Sequence, residues 1–432
     1  MNIHFVGIGG IGLSALARFL KHDGHTVSGS DMKASPLTKQ LEDEGIKVNI
    51  PHDGSAINAQ DIIIYSAAVK EDNAELVEAN KQQIKTISRK AALPLILGDK
   101  KNYCVAGAHG KSTTTAILAS ILNSSALIGA ISKEFDSNFR YVNDLVAFEA
   151  DESDGSFLLS NPYCAIVTNA EPEHMEYYKH DLKTFQDAYR QFLDIAKVRV
   201  INAEDELMAQ FSDLEATRLY PSKDIRNISF TLCEGEPYTA FELKDLGEFK
   251  VWGFGYHIAL DASLAILAAL NEMDLQSIKT NIQNYRGIKK RFDIVQRTNG
   301  LVVIDDYAHH PTEIKATIKS VSLYSDLKKM NKTVVIWQPH KYSRTIDNLA
   351  EFKECFQGVD ELIILPVYSA GEKEVKIDFQ EEFKRYNPMF AERIVSHNGK
   401  VEILSNSGIM KSYEHGLLVG VGAGDITYQL RP

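Results

Sequence analysis

The stretch Val105-Ala106-Gly107-Ala108-His109-Gly110-Lys111-Ser112-Thr113-Thr114-Thr115 constrains this chain more than any other. An apolar run, Tyr103-Cys104-Val105-Ala106, leads into it, and a helix-like run, Thr114 to Leu122, leads out. Strand, glycine-rich loop, helix is the order a phosphate cradle requires. Gly107 and Gly110 let backbone N–H groups approach phosphate oxygens closely. The helix N-terminus adds unpaired donors and the positive end of its dipole. Lys111 can reach terminal phosphates, and the Ser112 hydroxyl can face Mg²⁺. Val105 stands where the full P-loop pattern has a glycine, so the match is partial. A plain strand-to-helix turn is the alternative, and it leaves Lys and Ser directly after the second glycine unexplained.

A second glycine loop opens the chain. Gly7-Ile8-Gly9-Gly10-Ile11-Gly12 lies between an apolar run, Ile3 to Val6, and a helical pattern, Gly12 to Leu20. Asp31 follows Gly12 by nineteen residues, at the end of a second strand, Thr26 to Gly29. This is the dinucleotide fingerprint: glycines for the turn, a helix N-terminus for a diphosphate, an acid for a ribose or base edge. Any nucleotide diphosphate fits it, so the pattern alone does not select NAD.

Two such loops in 432 residues call for more than one domain. Apolar strands alternating with helical periods predict an α/β chain with parallel sheets. Residues 1–98 read as one unit, with a further strand at Ile62 to Ser66 and a boundary in the Pro94 to Asn102 stretch. Residues 99–290 read as a second, with strands at Leu145 to Phe148 and Ala165 to Thr168, an irregular polar section from Asp213 to Glu248, and an apolar helix from Ala262 to Leu270. Residues 291–432 read as a third, with strands at Leu301 to Ile304, Thr333 to Trp337, Glu361 to Leu365 and Gly416 to Val421. No apolar run approaches the ~18 residues that span a bilayer. The start shows no basic leader, and four scattered cysteines without metal spacing suit a reduced compartment. The net charge of −11 argues against bulk nucleic-acid binding.

Further motifs fall at predicted strand ends, where open α/β sheets bind ligands. Glu149-Ala150-Asp151-Glu152-Ser153-Asp154 crowds four carboxylates that need cations or donors. Thr168-Asn169-Ala170-Glu171-Pro172-Glu173-His174 brings an imidazole able to ligate a metal or orient a phosphate. Lys289-Lys290-Arg291-Phe292 is either a solvated basic face or a cation source for phosphate. Asp305-Asp306-Tyr307-Ala308-His309-His310-Pro311 and Gln338-Pro339-His340-Lys341-Tyr342-Ser343-Arg344-Thr345 point at one sheet edge, with Gly422-Ala423-Gly424-Asp425 beside them. No G-x-S-x-G elbow, H-E-x-x-H helix or paired C-x-x-C is present.

Taken in order, these motifs resemble the Mur ligases, and the likeness runs along essentially the whole chain. The resemblance implies three domains: a Rossmann-like N-terminal one for a UDP-sugar, a P-loop ATPase-like central one, and a Rossmann-like C-terminal one for an amino acid. It implies a cytoplasmic enzyme, a monomer or weak homodimer, acting in peptidoglycan precursor synthesis without nucleic-acid or membrane partners. ATP would phosphorylate the lactyl carboxylate of UDP-N-acetylmuramate, and the amine of L-alanine would attack the acyl phosphate. Carried over by position, Gly107, Ala108, His109, Gly110, Lys111, Ser112 and Thr113 would hold ATP phosphates, with Asp261 and Arg291 also on ATP. Ser112, Glu149 and His174 would hold Mg²⁺. Gly7, Gly9, Gly10, Gly12, Asp31 and Ser66 would hold the UDP part. His309, Lys341 and Arg344 would face the amino acid. Lys111, Glu149, His174, Arg291, His309 and Arg344 would form the catalytic set.

Three positions depart from the family pattern. Lys341 stands for an arginine, and a lysine holds a carboxylate without a bidentate fork. His257-Ile258-Ala259-Leu260-Asp261 lacks both amides of the adenine helix. Tyr189 lies where sister ligases carry a carbamylated lysine, so no such modification is expected. The rivals are a sister ligase that attaches tripeptide to the same sugar nucleotide, a nicotinamide-dependent oxidoreductase, and a nucleotide-sensing module without catalysis.

Overall fold

The computed structural model describes residues 1–173, 175–298 and 300–432. The chain packs as two compact units. The first comprises Met1–Ile228, Phe241–Val251 and His257–Arg286; the second comprises Ser229–Ala240, Trp252–Tyr256 and Gly287–Pro432.

The first unit holds two sheets. The N-terminal one has strands β1 (Asn2–Val6), β2 (Thr26–Ser30), β3 (Lys47–Asn49), β4 (Ile62–Tyr65) and β5 (Lys85–Ser88), all parallel in the order 3-2-1-4-5. Helices α1 (Ile11–His22), α2 (Pro36–Asp43), α3 (Ala74–Lys81) and α4 (Arg89–Leu97) make the crossovers. Ile3, Phe5 and Val6 are fully buried, as expected for a strand covered on both faces. Ser35, Asn73 and Ser88 cap three of the helices with side-chain oxygens. Strand order reverses beside β1, so the loop after β1 sits at the crevice where such sheets bind ligands.

The central sheet contains β6 (Lys101–Ala106), followed by α5 (Lys111–Leu122), β7 (Ser125–Ser132), β8 (Ser137–Arg140), β9 (Leu145–Glu149), β10 (Pro162–Val167), α6 (Leu182–Asp194), β11 (Val198–Asn202) and β12 (Thr217–Leu219). Its strand order is 12-11-10-6-9-7-8. Helix α1 of the N-terminal sheet packs on β7 and β8. There the fully buried Arg18 donates to Asn138 Oδ1 at 2.6 Å and to Glu44 Oε2 at 2.7 Å, which compensates its charge.

The section from Asp213 to Glu248, expected to be irregular, holds α7 (Pro221–Asp224), β13 (Ile225–Cys233) and β14 (Glu236–Leu243), and β15 (Glu248–Trp252) begins at its end. Along β14 every second residue is buried: Pro237, Thr239, Phe241 and Leu243. Thr239 on the buried side and Ala240 on the other blur that period in the sequence. Helix α8 (Tyr256–Ala269) is buried almost throughout, and α9 (Leu275–Asn281) follows it.

The second unit is built on β16 (Asp293–Arg297), β17 (Leu301–Asp306), α10 (Pro311–Lys328), β18 (Thr333–Trp337), α11 (Tyr342–Asp347), α12 (Leu349–Phe352), β19 (Glu361–Ile364), α13 (Phe379–Glu382) and β20 (Met389–Phe390). A hairpin sheet of β21 (Arg393–His397), β22 (Lys400–Ser405) and β23 (Gly408–Tyr413) precedes β24 (Gly416–Val421) and α14 (Ile426–Gln429). The main sheet runs 16-17-24-18-19-20, with β16 antiparallel and the rest parallel. Among the described residues no helix is long and apolar enough to cross a membrane.

Candidate functional site

Strand β6 delivers the chain into the phosphate loop, and α5 leaves it. Gly107 has φ +143°, and a Cβ there would lie 2.1 Å from Thr168 Oγ1. Gly110 caps α5 at φ +80°, and a Cβ there would meet Asp261 Oδ1 at 2.4 Å. Both positions therefore exclude a side chain on conformation and on space. The loop is braced from β10: the Thr168 hydroxyl donates to the His109 carbonyl at 2.6 Å, and Asn169 Oδ1 accepts the His109 N–H at 3.0 Å. Lys111 Nζ curls over the loop, donating to the Gly107 and Ala108 carbonyls. It also pairs with Glu152 Oε1 at 3.0 Å.

The acidic turn after β9 is divided among distinct partners. The Ser112 hydroxyl donates to Glu149 Oε1 at 2.9 Å, and the Gly129 N–H donates to Glu149 Oε2 at 2.7 Å. Glu152 is 3 % exposed. Burial raises its pKa, with Lys111 opposing. Asp151 is half-solvated and held low, because the Ser153 hydroxyl and N–H and the Arg89 charge outweigh burial. Arg89, the first residue of α4, lies 3.3 Å from Asp151 and 3.6 Å from Asp154. His109 Nε2 faces Glu171 at 3.3 Å and Glu173 at 3.4 Å, so one imidazole and two carboxylates converge beside the loop. His174, expected as a metal ligand, lies outside the described residues. Ala108 sits in the loop and Thr113 in the first turn of α5. Tyr189 is fully buried in an aromatic cluster with Phe157 and Phe185.

At the carboxyl edge of the N-terminal sheet lies a cavity of about 700 Å³ whose wall includes Gly7, Gly9, Gly10, Asp31, His52 and Ser66. Gly7 has φ +84°. The Gly9 N–H donates to Asp31 Oδ2 at 2.8 Å, so this acid braces the loop as well as lining the cavity. A Cβ at Gly9 would sit 2.8 Å from the same oxygen. Gly12 backs onto Arg89, whose Nη1 would be 2.9 Å from a Cβ there.

In the second unit, β17 and β18 end in the two histidine segments. Pro311 starts α10, and Glu313 reaches back to the His309 N–H at 3.0 Å. His309 Nδ1 lies 2.9 Å from the Tyr307 carbonyl, so it donates there and leaves Nε2 bare. Burial holds the His309 pKa below its ordinary value, against the pull of Glu313. Burial would raise Glu313, yet Arg291 at 3.3 Å and His309 hold it at about 2. Asp306 is pushed up to about 6 by burial, with Arg291 opposing. Arg344 Nη1 donates to His340 Nδ1 at 3.1 Å, and the His340 ring stacks on Tyr368. Burial, with Arg344 next, depresses His340 to about 4. Lys341 sits at φ +68°, with its N–H on the Tyr368 carbonyl at 2.9 Å. Gln338 anchors the final turn, donating to Asp425 and accepting the Ile426 N–H at 3.0 Å.

Sequence reasoning did not single out Glu152 as the Lys111 partner, Arg89, or the pairing of His109 with Glu171 and Glu173. It also passed over His52 and gave Glu313 no role. Glu313, two residues after Pro311, had a readable signal, the capping position of a proline-started helix. The others depend on contacts between distant segments.

Family models match three stretches: the Mur ligase family catalytic domain over residues 2–101, the Mur ligase middle domain over 105–224, and the Mur ligase glutamate ligase domain over 290–401. The chain is 54 % identical over 431 residues to a UDP-N-acetylmuramate–L-alanine ligase of Campylobacter curvus, covering 100 % of this chain and 99 % of the relative. It is 56 % identical over 434 residues to a ligase of the same name from Helicobacter pylori, covering 100 % and 96 %. A crystal structure of UDP-N-acetylmuramate–alanine ligase from Thermotoga maritima superposes with TM-score 0.82 at 28 % identity, covering 99 % of this chain and 97 % of that one. A murein peptide ligase from Psychrobacter arcticus shares the fold, with TM-score 0.64 at 21 % identity over 99 % of this chain and 97 % of the other. The chain belongs to the Mur ligase family.

Proposed function

We propose that this chain joins L-alanine to the lactyl carboxylate of UDP-N-acetylmuramate, driven by ATP, in the synthesis of peptidoglycan precursors. The observation that carries this reading is the 54–56 % identity over its whole length to ligases of that name. Residues 1–98 would bind the sugar nucleotide, 99–290 ATP, and 291–432 the amino acid.

A carboxylate is a poor acyl donor until its oxygen bears phosphate. In the first step a lactyl carboxylate oxygen attacks the γ-phosphorus and ADP leaves. In the second the alanine nitrogen attacks the acyl carbon, and inorganic phosphate departs with one former carboxylate oxygen. Phosphoryl transfer needs in-line positioning and charge neutralisation. Lys111, bonded to the loop carbonyls and to Glu152, would meet β- and γ-phosphate charge. Loop N–H groups at the start of α5 would bind the remaining phosphate oxygens. Ser112 and Glu149 offer a hydroxyl and a carboxylate 2.9 Å apart, a hard-oxygen set that fits Mg²⁺, with His174 as a third ligand by sequence. Bound there, the ion would supply neutralisation of phosphate charge. Arg291 would add a further cation for phosphate. In the second unit, Arg344 and Lys341 would hold the alanine carboxylate. The bare His309 Nε2 would accept the proton the amine must lose.

The test is release of phosphate from ATP by the purified chain with Mg²⁺ and UDP-N-acetylmuramate, in three arms: L-alanine, the tripeptide, and no amine acceptor. The reading predicts release with L-alanine alone. Release with the tripeptide alone would assign the sister activity instead.

A further inference from the structure

The turn that carries Arg291 into β16 is tied down more firmly than a solvated basic loop requires. Lys290 has φ +64° and Phe292 has φ +44°, so both neighbours of Arg291 stand in the left-handed region without being glycine. Such positions persist only where the surroundings fix them. Two carboxylates do so here. Asp293 Oδ2 accepts the Lys290 N–H at 3.2 Å, and Asp306 Oδ2 accepts the Phe292 N–H at 2.9 Å. The Lys290 carbonyl accepts the Tyr307 N–H at 2.8 Å. The Arg291 side chain is 44 % exposed, so its direction depends heavily on the backbone that bears it.

Asp293 needs a cation to play this part. It stands directly opposite Asp305 in the antiparallel pairing of β16 with β17, and both residues are buried. Like charges opposite one another repel, and burial removes the water that would screen them. Burial raises the Asp305 pKa, and the Thr427 hydroxyl and the Arg431 charge oppose it. Arg431 follows α14. Its Nη2 reaches Asp293 Oδ2 at 3.0 Å and Asp305 Oδ2 at 2.8 Å. Asp293 Oδ2 therefore serves Arg431 and the Lys290 N–H at once, and that one atom joins the arginine to the turn. Two neighbours of Arg431 reach the same place. Thr427 Oγ1 donates to Asp305 Oδ2 at 2.5 Å, and Lys290 Nζ lies 4.9 Å from the centre of the Tyr428 ring. We propose that Arg431 is a positioning residue for the ligation: by neutralising the Asp293–Asp305 pair it holds the turn that aims Arg291 at phosphate. Arg431 need touch no substrate. Without it the two acids share a proton or swing apart, the Lys290 N–H loses its acceptor, and the left-handed pair relaxes with Arg291 between them. The inference rests on the ATP-dependent ligase reading, in which Arg291 meets phosphate charge.

A double-mutant cycle on the full chain tests it, by steady-state kinetics with ATP, Mg²⁺, UDP-N-acetylmuramate and L-alanine. Arg431→Gln should lower kcat roughly 10- to 100-fold, as about an ångström of misplacement does, and leave the KM for UDP-N-acetylmuramate unchanged. In an Arg291→Ala background the same substitution should change kcat by less than about twofold, because its effect passes through Arg291. Asp293→Ala leaves Arg431 on Asp305 and cuts only the link to the turn. It should repeat both results, and it decides the matter if Arg431→Gln does not fold. An unchanged kcat, a loss confined to KM, or a loss of equal size with and without Arg291 overturns the inference alone, since Arg431 would then only stabilise the sheet. A wild type that releases no phosphate in response to L-alanine overturns the ligase reading, and the inference with it.

Discussion

Replacing Lys111 by methionine should damage the chain twice, in activity and in stability, and the two losses separate by pH. Lys111 Nζ lies 3.0 Å from Glu152 Oε1, and Glu152 is 3 % exposed. Methionine keeps the length of the stem but leaves a buried carboxylate without its cation. Its other oxygen has no hydrogen-bond partner among the described residues. The carboxylate then either stays charged in a poorly solvated site or takes up a proton, and protonation sets the ceiling on the cost. For a glutamate of ordinary pKa about 4.3, protonation at pH 7 costs about 3.7 kcal/mol, at about 1.36 kcal/mol per pH unit. At pH 5.5 it costs about 1.6 kcal/mol. Breaking a buried pair typically costs about 3–5 kcal/mol, which agrees with the pH 7 figure. The sign follows from the pKa. Burial already raises Glu152, with Lys111 opposing, so losing Lys111 raises it further. A carboxyl whose native value exceeds its unfolded value loses stability as pH rises through the unfolded value, until pH passes the native one. Urea unfolding should therefore show a gap between variant and wild type that widens from at most about 1.6 kcal/mol at pH 5.5 to at most about 3.7 kcal/mol at pH 7. Adding Glu152→Gln should close most of that gap and leave ATP turnover absent, since the charge that meets phosphate is still missing. A gap that does not change with pH, or a double variant no more stable than the single, would refute the reasoning.

Three other outcomes are expected. Glu149→Gln should raise the Mg²⁺ concentration needed for half-maximal turnover, because an amide is a weaker ligand for a hard cation; superimposable Mg²⁺ titrations would leave Glu149 only as the acceptor for Ser112 and Gly129. Gly107→Ala should cut turnover ~100-fold by displacing the loop about an ångström, since its Cβ would stand 2.1 Å from Thr168 Oγ1; near-normal turnover in steady-state assays would contradict that. Burial keeps His309 neutral below the ordinary histidine value, so the acid limb of alanine-dependent kcat/KM should lie below about 6.5 and move lower still in Glu313→Gln, which removes the anion favouring the charged ring; a limb at or above the ordinary value would remove His309 from the proton path.

The glycine loops were legible in the sequence because their chemistry is local. Gly107, Gly110, Lys111 and Ser112 lie close together in sequence, and strand β6 before them ends in the apolar run Tyr103 to Ala106. The strands of the second unit were legible for the same reason: β17, β18 and β24 are buried along their whole length. Strand β14 was not, since a buried Thr239 beside a less buried Ala240 breaks the polar–apolar alternation that marks a half-buried strand. The hairpin sheet β21 to β23 was missed similarly, being exposed along most of β23. The partners of the site residues were least visible. Glu152 pairs with a lysine 41 positions away. Ser30 meets His52 across 22 positions and Glu75 across 45. Such pairs are fixed by how strands and helices stack, and composition at either end carries no mark of the other.

The most direct measurement of the central claim follows oxygen. UDP-N-acetylmuramate labelled with ¹⁸O in both lactyl carboxylate oxygens is incubated with the chain, ATP, Mg²⁺ and L-alanine, and the phosphate and the product are weighed by mass spectrometry. If the carboxylate attacks the γ-phosphorus and the amine then displaces phosphate, each phosphate released carries one ¹⁸O and each alanine amide retains the other. Unlabelled phosphate, or labelled phosphate formed without an alanine adduct, would contradict the account.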